Sequence, residues 1–285
     1  MKSLLEIFIL SFFFFFSTYL PGRVIIEKFN LNREEKFVLS FGISCFLFYI
    51  YGFLIYIVNI NYSVFNGLFI ILLNLVSLFY LIFRKKHFFI EDKNFLLTYF
   101  SCFLFLLFFQ SFIPFYSGSL WFWDWFEHYL RTIFFLERLP LDITFLGYII
   151  PSRPPLFNLV CFFFQSITGK DFYIYQIIST LINSLIILSV YLFCKEYFKI
   201  EKRNLFFFVI VICMLNPAIL RQITYTWTKA FSAYYVIVGF YFYLKFIKLK
   251  NKTSLFLSGF LFGTGFIVHY SAGPYIVPVF LHLFM

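Results

Sequence analysis

The stretch PPLFNLVCFFFQSIT, residues 154–168, decides how this chain is folded. It is apolar, yet at about 15 residues it falls short of the ~20 that a helix needs to cross the hydrocarbon core. If it crossed, every basic loop after it would lie on the opposite side from those before it. If it is re-entrant or lies in the interface, four basic clusters share one face. These are Arg23, Lys28, Arg33 and Lys36; Arg84, Lys85, Lys86 and Lys93; Lys195, Lys199, Lys202 and Arg203; and Lys245, Lys248, Lys250 and Lys252. Lys and Arg concentrate in cytoplasmic loops, so the non-crossing reading is adopted. Residues 116–153, RQITYTWTK (221–229) and HYSAGP (269–274) then fall together on the outer face.

The rest of the chain supports a membrane setting. Its 285 residues are 62% hydrophobic and 13% charged, with 51 phenylalanines, whereas soluble domains run nearer half apolar and a quarter charged. Spans are expected near 4–20, 37–59, 64–83, 95–115, 172–194, 205–220, 228–247 and 254–270. A final apolar run from about 274 is too short to cross unless the chain continues. The expected fold is all-α, a polytopic transmembrane helical bundle of about 8–9 spans whose outer loop carries interfacial (juxtamembrane) helices. MKSLLEIFILSFFFFFSTYL resembles a signal peptide in its order of charge and apolar run. It contains Glu6 and lacks a small-x-small cleavage site, so it reads as a retained first helix.

Composition also excludes several functions. The net charge of +10 sits in short loops rather than on one polar face, so no nucleic-acid partner is expected. Cys45, Cys102, Cys161, Cys194 and Cys213 are scattered through apolar segments without a C-x-x-C pair, which supports neither a zinc site nor a disulfide framework. The phosphate-cradling, dinucleotide-binding, zinc-protease and serine-hydrolase signatures are missing.

Four places carry polar chemistry. In WFWDWFEHYLR (121–131) the pattern from Trp121 to Arg138 predicts an amphipathic helix, with Trp121, Trp125, Tyr129 and Leu136 toward lipid or the bundle. Asp124, Glu127, His128 and Arg131 are offset to another side; Asp124 and Glu127 are neighbours on one face, and His128 lies four residues from Asp124. One reading is an ordinary interfacial helix with solvated charges. The other is a carboxylate acting as a general base or holding a divalent cation at the membrane surface. In IPSRPPLF (150–157), Arg153 precedes two prolines that fix the first turn of an apolar helix. It is either a snorkelling surface arginine or a partner for a lipid phosphate. In YTWTKAF (225–231), Lys229 opens an apolar helix behind Arg221, both against the positive-inside trend and both suited to an anionic ligand. In GTGFIVHYSAGP, His269 ends a helix among glycines, either as a packed histidine or as a hydrogen-bond partner for a ligand.

Taken in order, WDWFEHYLR, SRPPLFNLVCFFFQSITGKDFYIYQIIS and YTWTKAFSAYYVIVGFYFYLKF resemble the GT-C glycosyltransferases. That superfamily includes the protein O-mannosyltransferases, the aminoarabinose transferases and the RgtA/B/C/D-like enzymes. The resemblance covers about residues 95–285, leaving 1–94 as N-terminal transmembrane helices extra to the family core. The 95–285 module reads as C-terminally incomplete, since it stops inside the run VFLHLFM.

The resemblance implies an integral-membrane enzyme of the cell membrane, active on its extracytoplasmic side. A sugar would move from a polyprenyl-phosphate-linked donor to a hydroxyl on a glycan, lipid or protein acceptor, with inversion and with no cofactor. Asp124 matches the family's loop acid, with Glu127 as second choice and His128 in support. Arg153 matches the basic residue that holds the lipid phosphate, joined by Arg221 and Lys229. Trp125, Tyr225, Trp227 and His269 are the expected acceptor or sugar contacts. Lys229 stands where many members carry an acid, so no metal is expected. Two rivals are a flippase or transporter of lipid-linked glycans and a non-catalytic membrane subunit. Charges near span ends and the lack of a visible internal repeat favour the enzyme over a transporter.

Overall fold

The computed structural model describes residues 4–84, 88–113, 124–145, 147–197 and 205–284. The side chains of residues 84, 88–91, 124, 148, 197 and 284 lie outside this description. So do Trp121, Lys85, Lys86, Lys199, Lys202 and Arg203, which the sequence reading used. The described chain is all-α apart from one two-stranded ribbon. Its helices are α1 (Leu4–Ile26), α2 (Arg33–Val58), α3 (Tyr62–Arg84), α4 (Phe88–Gln110), α5 (Asp124–Glu137) and α6 (Leu156–Thr168). They continue with α7 (Phe172–Tyr197), α8 (Leu205–Leu215), α9 (Pro217–Thr224), α10 (Lys229–Leu249), α11 (Lys252–Val268) and α12 (Gly273–Phe284). Strands β1 (Thr144–Phe145) and β2 (Tyr148–Ile149) pair antiparallel between α5 and α6.

Six of these helices are long and apolar enough to cross a membrane, or seven if the bent pair α8–α9 forms one span. The chain is therefore a multi-pass membrane protein, with fewer full-length spans than the eight or nine expected. Two local causes account for the difference. The run expected to cross over 205–220 is broken at Asn216–Pro217 by an 84° bend. Proline lacks the N–H that would continue α8, and the Asn216 side chain instead caps Ala218 N at 3.0 Å and Ile219 N at 3.3 Å. The run over 254–270 becomes α11, at 17 residues just below spanning length.

Helix α6 is shorter than the spanning helices. Its 13 residues are almost entirely buried, and both of its ends meet α5. At its start the Phe157 ring lies 6.3 Å from the His128 ring. Just past its end the Lys170 carbonyl accepts the Tyr129 hydroxyl at 2.7 Å, and Lys170 pairs with Glu137. The two short helices, 14 and 13 residues long, therefore run beside each other.

The first two helices are packed into the same core as the later ones. Tyr234 and Tyr235 of α10 donate to the Val38 and Gly42 carbonyls of α2, each at 2.7 Å. Phe48 stacks on Phe163 with ring centres 4.7 Å apart. Close approach of α1 to α2 depends on Gly22, where an added Cβ would sit 1.8 Å from the Ser40 carbonyl oxygen. By contrast, α3 turns Leu68, Ile71, Leu72, Leu75, Val76 and Phe79 outward, an apolar face suited to lipid.

At the end of the bundle away from α5, several of the basic residues are paired with acids. Asp92, fully buried, accepts the Tyr19 hydroxyl at 2.6 Å and Nε of both Arg23 and Arg33 at 3.1 Å. Glu35 closes a capping box with Asn32 at the start of α2 and also holds Tyr241 and Lys245 of α10. These charges tie α1, α2, α4 and α10 together where the hydrophobic effect between helices is weakest.

Candidate active site

The opposite end gathers residues from four separate parts of the sequence. Helix α5 supplies Glu127, His128 and Arg131, successive turns of one helix placing them side by side. Asp124 is the first residue of α5, one turn before His128. Glu127 forms an ion pair with Nη2 of Arg131, whose side chain is only 3% exposed. Arg153 leaves the 3-10 turn Ile150–Ser152 just before the two prolines that start α6. Its guanidinium lies 5.2 Å from the Tyr270 ring centre and donates through Nη1 to the Tyr270 hydroxyl.

The turn between α9 and α10 is the third contributor. Gln110 of α4 donates to the Thr224 carbonyl at 2.9 Å, and Tyr175 of α7 donates to the Thr226 carbonyl at 3.2 Å. These bonds hold Thr226 at φ +62°, a conformation that a β-branched residue adopts only when its surroundings enforce it. The Thr226 hydroxyl reaches back to the Trp125 carbonyl at 3.3 Å, joining this turn to α5. Lys229 then opens α10 with Nζ 4.0 Å from the Trp227 ring centre.

The fourth contributor is the end of α11. His269 caps it and its Nδ1 accepts from Ser271 N at 3.1 Å. Burial, followed by the charges of Lys229 and Arg153 and opposed by Glu127, pushes the His269 imidazole down to about 4. Burial also lowers His128 well below the ordinary range, with Arg131, His269 and Arg153 adding to the effect. Both imidazoles are therefore neutral near pH 7. Arg131, lowered by burial and supported by Glu127, remains protonated.

Glu127, His128, Arg153, Lys229 and His269, all anticipated from the sequence, thus lie in one electrostatically coupled layer. Arg221 sits on exposed α9 with its guanidinium 5.9 Å from the Tyr225 ring, on the flank of that layer. Tyr225 and Trp227 are buried, packed edge to face with ring centres 4.7 Å apart. Trp125 is half-buried and packs edge-on against Phe172 at 5.2 Å. Among the described residues no three His, Cys, Asp or Glu side chains group as a metal site would need. Arg131, Asn158 and Tyr270 belong to this layer but were not singled out as site residues. The i,i+4 spacing of Glu127 and Arg131 was visible. So was Asn158, the first polar residue in the apolar run that follows Pro155.

A pH dependence follows from the two histidines. Each binds a proton less readily in the folded protein than in the unfolded chain, so protonation favours unfolding. Their contribution to stability is complete above the ordinary imidazole value of 6.5 and declines below it, for His269 as pH falls toward about 4. Unfolding midpoints of the detergent-solubilised protein should drop between pH 7 and 5, and His269→Gln should make that drop shallower. An equally steep drop in the variant would show that His269 is not its source.

Beside this layer a groove of about 1040 Å³ runs between α7, α9, α10 and α12. Ile186, Ile219, Val236, Ile237 and Phe240 form its apolar walls, while Lys229 and Tyr270 stand in its lining. Tyr270 is therefore shared between groove and layer, because it also holds Arg153.

Fold and site together define a multi-pass membrane protein with a cationic layer at one end and an apolar groove leading to it. Residues 152–285 match the family described as dolichyl-phosphate-mannose-protein mannosyltransferase, a family of GT-C membrane glycosyltransferases. The match includes Arg153, Arg221, Lys229 and His269, and begins after α5. No curated protein and no solved structure matches the chain.

Proposed function

We propose that the chain transfers a sugar from a polyprenyl-phosphate donor to an acceptor hydroxyl on the extracytoplasmic face of the cell membrane. One observation carries this reading: an apolar groove of about 1040 Å³ has in its lining Lys229 and Tyr270, the partner of Arg153. A prenyl chain in the groove would bring its phosphate to these cations, with Arg221 on the flank. Guanidinium and ammonium donors favour phosphate most where water is excluded.

Asp124 is assigned as general base and Glu127 as the second acid of the site. The acceptor hydroxyl gives its proton to Asp124, its oxygen bonds to the anomeric carbon, and the bond from that carbon to the phosphate oxygen breaks. Attack opposite the leaving group inverts the anomeric centre, and the prenyl phosphate departs as an anion held by Arg153 and Lys229. Glu127 is engaged by Arg131. Trp125 offers an aromatic edge to the acceptor, while buried Tyr225 and Trp227 hold Lys229 in place. Positive-inside orientation supports the extracytoplasmic assignment, since Arg23, Arg33, Lys36, Lys195 and Lys245 all cluster at the other end.

Loss of one charge-assisted phosphate contact should cost roughly 10- to 100-fold in donor affinity. Arg153→Gln is accordingly expected to raise KM for a polyprenyl-phosphate mannose donor by that factor, with a smaller change in kcat. An unchanged KM would remove Arg153 from the phosphate site. Single cysteines placed at 153 and 229 should label from outside intact cells, and one at 199 only after permeabilisation. External labelling at 199 would reverse the assigned orientation.

A further inference from the structure

On the α5 side of the phosphate layer lies a group of buried polar atoms whose hydrogen bonding within the protein is incomplete. Nε and Nη1 of Arg131 lack partners, and Nδ1 of His128 and Oδ1 of Asn158 make no hydrogen bond of good geometry, although the two side chains lie close enough to interact. Their residues are only 2%, 8% and 1% exposed. Native structures leave few such atoms, because each costs free energy comparable to a lost hydrogen bond. His128 and Arg131 are one turn apart on α5, and Asn158, on the first turn of α6, neighbours the His128 imidazole. Helix propensity explains none of them; the apolar positions around Asn158 are filled by Leu156, Phe157, Leu159 and Val160.

The chemistry of this set differs from that of the phosphate layer. A phosphate asks for donors alone. Here two guanidinium N–H donors stand with an amide carbonyl acceptor and an imidazole nitrogen able to accept or donate. Such a mixed set matches hydroxyl groups, each of which donates once and accepts as well. Its place in the site also follows the order of the donor molecule. The apolar groove reaches Tyr270, Tyr270 holds Arg153, and Arg153 and His269 lie within electrostatic reach of His128. Prenyl chain, phosphate and sugar would meet groove, cations and mixed polar set in that sequence.

We infer that Arg131, His128 and Asn158 form a subsite that reads two neighbouring hydroxyls of the sugar carried by the lipid donor, and so select a hexose with a free vicinal diol. This deepens the transferase reading and rests on it. Arg131 would donate to one hydroxyl while Glu127 keeps the guanidinium in register. Asn158 and His128 would accept from the other.

Binding separates this subsite from the phosphate layer without requiring turnover. The purified protein is titrated with farnesyl phosphate and with farnesyl-phosphate mannose, and the ratio of the two dissociation constants isolates the sugar's share. The parent protein should bind the mannose-bearing lipid at least about tenfold more tightly than the bare phosphate, as one or two buried hydrogen bonds allow. Asn158→Leu, similar in volume and without orphaned atoms, should fold with an unfolding midpoint at or above the parent's. It should bind farnesyl phosphate as the parent does and lose most of the sugar's share. Asn158→Ala provides the same comparison if leucine misfits, and the 2-, 3- and 4-deoxymannose lipids identify the pair of hydroxyls read.

A sugar share that is absent in the parent, or unchanged in both Asn158 variants, overturns the subsite while leaving the phosphate site standing. Equal affinity for all three deoxy lipids does the same, and would leave the orphaned atoms to buried water. Failure of the parent to bind farnesyl phosphate at all overturns the donor reading and the subsite with it.

Discussion

Asp124→Asn should reduce sugar transfer by roughly 10²- to 10⁴-fold, the usual share of a positioned general base. The variant should still reach the membrane and unfold at the parent's temperature. The substitution keeps size and polarity while removing the basic oxygen, at the first residue of α5. Glu127→Gln should act differently. Arg131 is 2% exposed and Glu127 holds its Nη2, so losing that carboxylate leaves a buried guanidinium without its counter-charge. Lower thermal stability should accompany any loss of activity in Glu127→Gln, and no such loss in Asp124→Asn. Full transfer by Asp124→Asn, measured with labelled polyprenyl-phosphate sugar in reconstituted vesicles, would exclude Asp124 as the base.

The largest effect on stability is expected far from the chemistry. Asp92→Ala should cost about 3–5 kcal/mol, the range seen when one partner of a buried ion pair is removed. Asp92 has no solvent exposure, and Arg23 beside it has 4%. Its loss would strip Tyr19, Arg23 and Arg33 of the oxygen atoms on which they converge. Asp92→Asn, which keeps two polar atoms but no charge, should fall between parent and alanine variant. Thermal unfolding in detergent checks the order; a midpoint for Asp92→Ala within a degree of the parent's would show that α1, α2 and α4 are held by packing alone.

Much of this architecture was legible in the chain because membranes impose simple rules. Long uncharged runs have to become helices, since backbone polar groups find no water in hydrocarbon. The short length of residues 154–168 was visible in the sequence, and the segment forms the 13-residue α6 with both ends against α5. The break at Asn216–Pro217 was also present in the sequence, as a proline with a capping asparagine before it, but a hydropathy run masks a bend. Hydropathy likewise describes how apolar a segment is, not what faces it, so the pairing of Arg23 and Arg33 with Asp92 stayed hidden.

The site was legible in part for a related reason. Chemical type and position singled out Glu127, His128, Arg153, Lys229 and His269, which the fold brings into one layer. Burial of Tyr225 and Trp227 depends on the turn pinned by Gln110 and Tyr175, contacts about 50 to 115 residues away in sequence. No local pattern encodes that. Arg131 was read as one charge of an interfacial face, whereas α5 packs on α6 and leaves its guanidinium inside the protein.

The central claim is that a prenyl-phosphate sugar binds at the α5 end of the bundle, with its phosphate at Arg153 and Lys229. A polyprenyl-phosphate mannose carrying a photoreactive group on the isoprene nearest the phosphate tests this directly. After irradiation of the reconstituted protein, the label should be recovered on peptides spanning Arg153, Arg221–Lys229 or Tyr270–Tyr275, and be displaced by unlabelled donor. Saturable label concentrated instead at the opposite end, around Arg23, Arg33 or Lys245, would contradict it.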